Sequence, residues 1–382
     1  MDFILTLAIF SGQIIKLPLT VNSGITVLDL VVIFLCVWGS VEIKLKLKKP
    51  PLPFLFFIAF SFIGTISFLF SPLNLSLNEI FLSFSYTIRF LLYLYLGWIL
   101  YSGGLKSVRE KFYTILKTSG LLLSIGGLLQ LLFIPNLIFL TPQGWDPHYF
   151  RTVSTFLDPN FLGGFLSLVL LLILSEFEKT KKDKKLLITF LVCFLALVTT
   201  FSRSATICFL SGSIFLAFFN KSKRLFLMTI LFSLVFGIAF LGYRQFISAP
   251  RNIDRGASAS YRLNTYDEGL QVFHHSPVSG VGFNSYRFAL SKYHLASISV
   301  INSHGGSTND SSLLYILATT GIVGFVFYIL GALFLLKSSS STYFRSAFLA
   351  IIIQSFFINT LFYPWILLWI FLTWVRANDK SS

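Results

Sequence analysis

The chain has 382 residues, of which 55% are hydrophobic and only 12% are charged, and its formal net charge is +15. A soluble globular domain carries about twice that charged fraction, so this composition excludes a soluble protein. The positive charge does not indicate a nucleic-acid partner, because the basic residues lie in short stretches between long apolar runs. In lipid, apolar runs of about 20 residues satisfy their backbone polar groups only as helices. The composition therefore predicts an all-α integral membrane protein.

Polar breaks divide the chain into about twelve apolar segments, each of which we predict to be a transmembrane helix. The segments are residues 3–19, 24–41, 52–71, 79–100, 112–134, 161–177, 186–201, 204–219, 225–243, 311–336, 345–362 and 364–376. No basic region precedes the first segment, so we predict a retained membrane segment there rather than a cleaved signal peptide.

Basic residues alternate between the loops in a way that predicts the topology. The loops after even-numbered segments are rich in lysine, as in 44–49 and 179–185. By the positive-inside rule these loops are cytoplasmic, and so are both termini. Residues 1–243 then form nine transmembrane helices with short loops, 244–310 form a large outer loop, and 311–382 form three more helices and a cytoplasmic tail.

The basic residues predicted on the outer side are mostly arginines. They are Arg151, Arg203, Arg244, Arg251, Arg255, Arg262, Arg287 and Lys292. Arginine presents a planar, permanently charged group that matches phosphate or carboxylate oxygens. Because the topology rule disfavours positive charge on this side, these arginines indicate an anionic ligand at the outer face. Alternatively, they pair with Asp146, Asp158, Asp254, Asp267 and Glu268 and only hold the loops together.

The large outer loop is predicted to be structured, because connections this long are uncommon without a function or structure of their own. Tyr266, Leu270 and Phe273 have helical spacing, and Pro277 ends that helix. A glycine turn at 280–282 then precedes a second short helix.

Two arginines lie within or beside apolar runs. Arg203, in the reversal FSRSA, is placed near the outer surface, and Arg89, in SYTIRFLLYL, is more deeply embedded. A charge in the membrane is costly and usually faces a cavity or a partner, so both are candidate functional residues. An internal ion pair is the alternative.

Four stretches carry a resemblance to a known family. In order, they are RTVSTFLDPNFLGGFL (151–166), FSRSA (201–205), the run from Tyr261 through SPVSGVGFNSY, and NDSSLLYILATTGIVGF (309–325). With these motifs the chain resembles the O-antigen ligase and O-antigen polymerase superfamily of bacterial envelope glycosyltransferases. The resemblance spans nearly the whole chain. It implies an all-helical fold related to the C-type glycosyltransferases, located in the bacterial cytoplasmic (inner) membrane.

The resemblance also implies an activity. Such proteins transfer a glycan from undecaprenyl diphosphate at the outer leaflet to an acceptor hydroxyl, without a metal or another cofactor. The acceptor is lipid A core, another lipid-linked glycan or a protein side chain. The family's diphosphate-site arginines match Arg203 and Arg262, and we add Arg89, Arg151, Arg255 and His304 as candidate residues for binding the diphosphate or the glycan.

The family's suspected base, a histidine, is replaced in this chain by Asp310. A carboxylate can also accept the acceptor's proton, so we predict Asp310 to be catalytic. Alternatively, Asp310, with Thr308 and Asn309, only caps the next helix. His304 is a second candidate base, although we expect the loop SHGGS to position it poorly.

Two other classes of function fit part of the pattern. A polytopic transporter also has many helices and intramembrane charges, but it should show internal repeats with paired broken helices, which we do not find. A non-catalytic scaffold for envelope assembly would not need arginines placed against the topology rule. The expected partners are therefore a lipid-linked glycan, an acceptor and membrane lipids, and no nucleic acid.

Overall fold

The computed structural model describes residues 1–20, 23–178, 183–251, 257–301 and 303–378. The predicted membrane protein built mainly of helices is confirmed. The first part of the chain contains α1 (Asp2–Ser11), α2 (Val27–Glu42), α3 (Leu52–Ile66), α4 (Leu77–Ser102), α5 (Lys106–Phe133), α6 (Pro159–Phe177), α7 (Lys184–Thr199), α8 (Arg203–Phe219) and α9 (Lys223–Tyr243). The second part contains α10 (Ala257–His275), α11 (Tyr286–Lys292), α12 (Ile298–Ile301), α13 (Ser312–Ser338), α14 (Thr342–Gln354) and α15 (Pro364–Ala377).

Each predicted membrane segment contains one of these helices. Within the described ranges, five helices are long and apolar enough to cross a membrane, namely α4, α5, α6, α9 and α13. The others in the predicted set are shorter, so twelve crossings remain a prediction. The two helices predicted in the outer loop are confirmed as α10 and α11.

The first predicted segment is not one long helix, and the fold is not purely α. Helix α1 ends at Ser11, because Gly12 adopts a left-handed conformation with φ 57° and approaches the backbone of Thr155. The chain then forms an antiparallel hairpin of β1 (Lys16–Thr20) and β2 (Ser23–Thr26). The Gln13 backbone N–H donates to the Thr155 carbonyl at 2.8 Å. This hydrogen bond to a distant residue replaces the one that Gln13 would make if α1 continued.

The eleventh predicted segment, 345–362, also ends early. Helix α14 stops at Gln354, and residues 355–363 connect it to α15 without forming a helix. Ser312, at the start of α13, donates its backbone N–H to the Ser355 carbonyl (2.8 Å) and accepts the Leu361 N–H on its side chain (3.3 Å). These tertiary hydrogen bonds replace a further helical turn.

Helix α13 is interrupted at Gly321, which has φ 63° and ψ −173°. The segment 277–282 enters this break and pairs with it. Gly282 donates to the Thr319 carbonyl (2.9 Å), and Ile322 donates to the Pro277 carbonyl (2.9 Å). The protein thereby satisfies the freed backbone groups itself, as the apolar environment requires. As a result, the outer loop is attached directly to the helix that follows Asp310.

The core lies around α6 and α15, whose side chains are almost all buried. Helix α6 packs against α8 and α14, and α15 packs against α4 and α5. Asp158 caps α6 and accepts hydrogen bonds from the backbone of Asn160 and Phe161.

Candidate functional site: an arginine-lined cavity

A cavity of about 660 Å³ brings together the predicted site residues that the structure describes. It is lined by Arg89, Arg151, Arg203, Arg262, His304 and Asp310. The seventh predicted residue, Arg255, lies outside the described residues. Residues far apart in sequence thus meet at one place, which sequence spacing alone does not require.

Three helices begin at this cavity. Asp158, Arg203 and Asp310, which all line it, stand at or just before the first residues of α6, α8 and α13. A helix N-terminus carries a partial positive charge, which at α6 is already met by the Asp158 carboxylate and at α8 and α13 favours an anion nearby. The helix starts and the arginines therefore favour the same kind of ligand.

Arg262 and Asp310 form an ion pair across the cavity wall, with 3.8 Å between Nε and Oδ2. Both side chains are partly buried, 21% and 30% exposed. Burial raises the pKa of the Asp310 carboxyl to about 6, with Asp146 and Asp158 adding to the increase and Arg262 opposing it. Asp310, which precedes the membrane helix, is therefore mostly ionised at neutral pH and able to accept a proton.

Asp310 does not cap α13, so the interpretation of this residue as a helix cap is wrong. Ser311 is the N-cap residue, and its hydroxyl accepts the Leu314 N–H at 3.3 Å. Asn309 is also engaged locally, because its Oδ1 accepts the Ser311 N–H at 2.9 Å. With the cap supplied by Ser311, the Asp310 carboxylate faces the cavity and Arg262.

Arg203 is the first residue of α8 and has an exposed side chain that lines the cavity. It lies close enough to Arg262 for the two positive charges to repel each other. An anion bound between two such charges relieves the repulsion, so the pair suits a doubly charged ligand such as a diphosphate.

Arg151 lies at the rim formed by the loop before α6. Its Nε donates to the Thr200 carbonyl at 2.8 Å, which ties this loop to the end of α7. Its charge also acts on Asp146 and Asp158, although burial still raises the pKa of both carboxyls. Arg151 therefore contributes to holding the outer loops, as the alternative interpretation predicted, and lines the cavity as well.

Arg89 takes part in a buried ion pair, which confirms the structural alternative for this residue. Its Nη2 lies 2.9 Å from Asp29 Oδ2 and 2.7 Å from the Gly24 carbonyl. Tyr93 donates a further hydrogen bond of 3.0 Å to Asp29. Because Arg89 also lines the cavity, this network joins the β1–β2 hairpin to the cavity floor.

His304 is positioned more firmly than we predicted from the glycine residues around it. Its ring lies against Trp145, with 4.3 Å between centroids, and its backbone N–H donates to the Gly144 carbonyl at 3.2 Å. Gly305–Ser307 forms a 3₁₀ turn after it. The expectation that this loop positions His304 poorly is therefore wrong.

Several cavity residues were missed in the sequence. Lys16 was assigned to a membrane helix but lies in β1, with its Nζ 5.3 Å from the Trp145 ring centroid. Asn284 and Asn359 also line the cavity. Asn359 could have been predicted, because it is a polar residue inside an apolar run. For Asn284, the only indication in the sequence was its position after the glycine turn.

Residues 188–329 match the family model described as O-antigen ligase. This segment is similar to that family, which supports the predicted resemblance to the O-antigen ligases and polymerases. The matched segment extends from α7 into α13 and contains Arg203, Arg262 and Asp310, whereas Arg89 and Arg151 precede it. No curated protein matches the chain.

Proposed function

We propose that this protein is a metal-independent glycosyltransferase. It transfers a glycan from undecaprenyl diphosphate to an acceptor hydroxyl at the outer face of the cytoplasmic membrane. The observation that carries the proposal is the convergence of Arg203, Arg262 and Asp310 on one cavity at the start of α8 and α13. The family match supports ligase or polymerase chemistry of this general kind.

The two arginines act on the leaving group. As the bond between the anomeric carbon and the phosphate oxygen breaks, the electron pair stays with undecaprenyl diphosphate and its negative charge grows. Fixed positive groups beside that oxygen stabilise the transition state more than the ground state. Arg203 and Arg262 provide this stabilisation, together with the N-terminus of α8.

Asp310 acts on the acceptor. The acceptor oxygen forms the new bond to the anomeric carbon, and its proton passes to the Asp310 carboxylate, so that bonds and charges balance. Arg262 pairs with Asp310 and opposes the rise in its pKa, which weakens it as a base. A bound diphosphate engages Arg262 and adds negative charge nearby, which raises the pKa of Asp310 and strengthens it as a base.

The transporter alternative is less well supported. The described part of the chain contains a broken helix, α13, but its break is occupied by the segment 277–282 of the same protein. Asp158, Arg203 and Asp310 lie at the starts of helices around the cavity, and of the described charged residues assigned to the site only Arg89 lies in the middle of a helix long enough to cross a membrane. A transporter site is expected between broken helices near the midplane.

The test combines genetics with reconstitution. Deleting the gene should cause undecaprenyl-linked glycan to accumulate, and the purified protein in liposomes should convert that extracted lipid to undecaprenyl diphosphate when an envelope extract supplies the acceptor. Transfer that requires Arg203 and Arg262 supports the proposal. Unchanged lipid-linked pools in the deletion, together with no conversion in liposomes, would exclude it.

A further inference from the structure

The segment 355–363 between α14 and α15, SFFINTLFY, forms part of the cavity wall, although residues 355–362 were predicted as membrane helix. Ile358, Asn359, Phe362 and Tyr363 from this segment line the cavity. It therefore brings an amide and aromatic rings to the same space as the arginines.

The start of α13 holds this segment in place. Besides the two hydrogen bonds between Ser312 and the backbone of Ser355 and Leu361, Tyr266 of α10 donates its hydroxyl hydrogen to the Phe356 carbonyl. Ser312 lies two residues after Asp310, and Tyr266 lies one helical turn after Arg262. These hydrogen bonds fix the position of the segment 355–363 relative to Arg262 and Asp310, which we assign to the reaction.

Asn359 is the unusual member of the wall. It is only 9% exposed, and its Oδ1 is fully buried and accepts no hydrogen bond from any described residue. A buried polar atom without a partner is costly, and it is rare in proteins unless a ligand or water completes it. Asn359 lines the cavity, and a rotation of its amide about χ2 would turn this oxygen towards a donor on a cavity ligand.

An aromatic face and a second amide continue the same wall. The ring of Phe362 lies 5.8 Å from that of Tyr315 between centroids. Tyr315 donates a hydrogen bond of 2.8 Å to Asn284 Oδ1, which orients the Asn284 amide and leaves its NH₂ as the group to offer a ligand. Asn284 has φ 64°, a left-handed conformation that asparagine adopts more readily than most residues other than glycine.

From this arrangement we infer that Asn359, Phe362 and Asn284 form the subsite for the sugar bonded directly to the diphosphate. This inference rests on the proposed function. Sugar hydroxyls both donate and accept hydrogen bonds, as an Asn oxygen and an Asn NH₂ require. The electron-rich face of an aromatic ring attracts the weakly positive C–H groups of a sugar ring. A lipid chain would use the ring but would leave Asn359 Oδ1 unpaired.

The experiment compares two lipids on the same purified full-length protein. One is undecaprenyl diphosphate without sugar, and the other is the undecaprenyl-linked glycan extracted from cells that lack the gene. The wild-type protein should bind the glycan-bearing lipid more tightly. Asn359→Leu, which removes the acceptor at similar size, should weaken binding of that lipid about tenfold and leave binding of the sugar-free lipid unchanged.

Thr360→Val is the matched control. Thr360 is the adjacent residue, is fully buried and also has a hydroxyl without a described partner, but it does not line the cavity. This variant should retain the preference for the glycan-bearing lipid. Thermal unfolding in detergent confirms that both variants are folded, and if Asn359→Leu is not, Asn359→Ala replaces it.

The outcomes separate the two proposals. If Asn359→Leu retains the full preference, or if the wild-type protein shows none, the sugar subsite is wrong while the diphosphate site stands. If the wild-type protein binds neither lipid, the proposed function fails and the subsite fails with it.

Discussion

Arg262 of α10 and Asp310 before α13 lie 3.8 Å apart, Nε to Oδ2, on the wall of a cavity that also contains Arg203. The outer loop that joins these two residues folds back through α11 and α12, so that its beginning and its end meet. Arg262, which we propose stabilises the charge of the leaving group, therefore lies beside Asp310, the proposed base. This contact motivates the first two predictions.

Replacing either arginine should strongly reduce transfer while the protein still folds. We expect Arg203→Ala or Arg262→Ala to lower kcat/KM by about 10²–10³-fold, the range found when one group that stabilises transition-state charge is removed. The measurement is release of undecaprenyl diphosphate from the extracted glycan lipid. Arg345→Ala is the matched control, because Arg345 lies over the Phe219 ring and does not line the cavity. Full activity in both cavity variants would refute the assignment.

The pH dependence of kcat/KM should report Asp310. Its carboxyl has a pKa of about 6, and only the ionised form accepts a proton, so activity should fall as the pH decreases through about 6. In Asp310→Asn the residual activity should be much lower and should lack this acidic limb. An unchanged rate and an unchanged profile in the variant would show that Asp310 is not the base.

His304 offers an independent comparison, because it lines the same cavity and its ring is held against Trp145. If Asp310 is the base and His304 binds the glycan, His304→Gln should raise KM several-fold and leave kcat and its pH profile nearly unchanged. A loss of kcat in His304→Gln larger than that in Asp310→Asn would reverse the two roles.

The ion pair between Arg89 and Asp29 should matter for stability. Both side chains are largely buried, at 16% and 5% exposed, and removing one partner leaves an uncompensated charge. We expect Asp29→Leu to lower the free energy of unfolding by about 3–5 kcal/mol, measured by thermal or denaturant unfolding in detergent. The double variant Asp29→Leu with Arg89→Met should recover only the part of that loss caused by the unpaired arginine, because Asp29 also accepts hydrogen bonds from Thr26 and Tyr93. Equal stability of the single variant and the wild type would contradict this.

The junction between the outer loop and α13 should tolerate no side chain at Gly280. This residue has φ 72°, and an added Cβ would lie 2.3 Å from the Thr319 carbonyl carbon. Gly280→Ala should therefore separate the loop from the helix, lower the unfolding temperature and reduce activity together. Gly237→Ala is the control, since Gly237 lies in α9 with nothing within 4 Å of its added Cβ and should be neutral or slightly stabilising. A fully stable Gly280→Ala variant would show that the close approach is not required.

Much of the fold was predictable because the bilayer leaves few options for the backbone. Apolar runs located the helices, and the glycine turn and the two outer helices followed from local spacing. The early ends of α1 and α14 were not predictable, because both are caused by hydrogen bonds to distant residues. Gln13 binds Thr155, and Ser355 and Leu361 bind Ser312.

The sequence by itself determined that this is a helical membrane protein, because composition and periodicity depend on local residue types. Its ordered motifs resemble the O-antigen ligase family, and that resemblance implied Arg203, Arg262 and Asp310 as the main candidate residues. Only the tertiary structure decided that Ser311 caps α13 so that Asp310 faces Arg262, that Arg89 pairs with Asp29, and that the segment around Asn359 lines the cavity. These features depend on contacts between distant parts of the chain, and local pattern does not specify which distant residues meet.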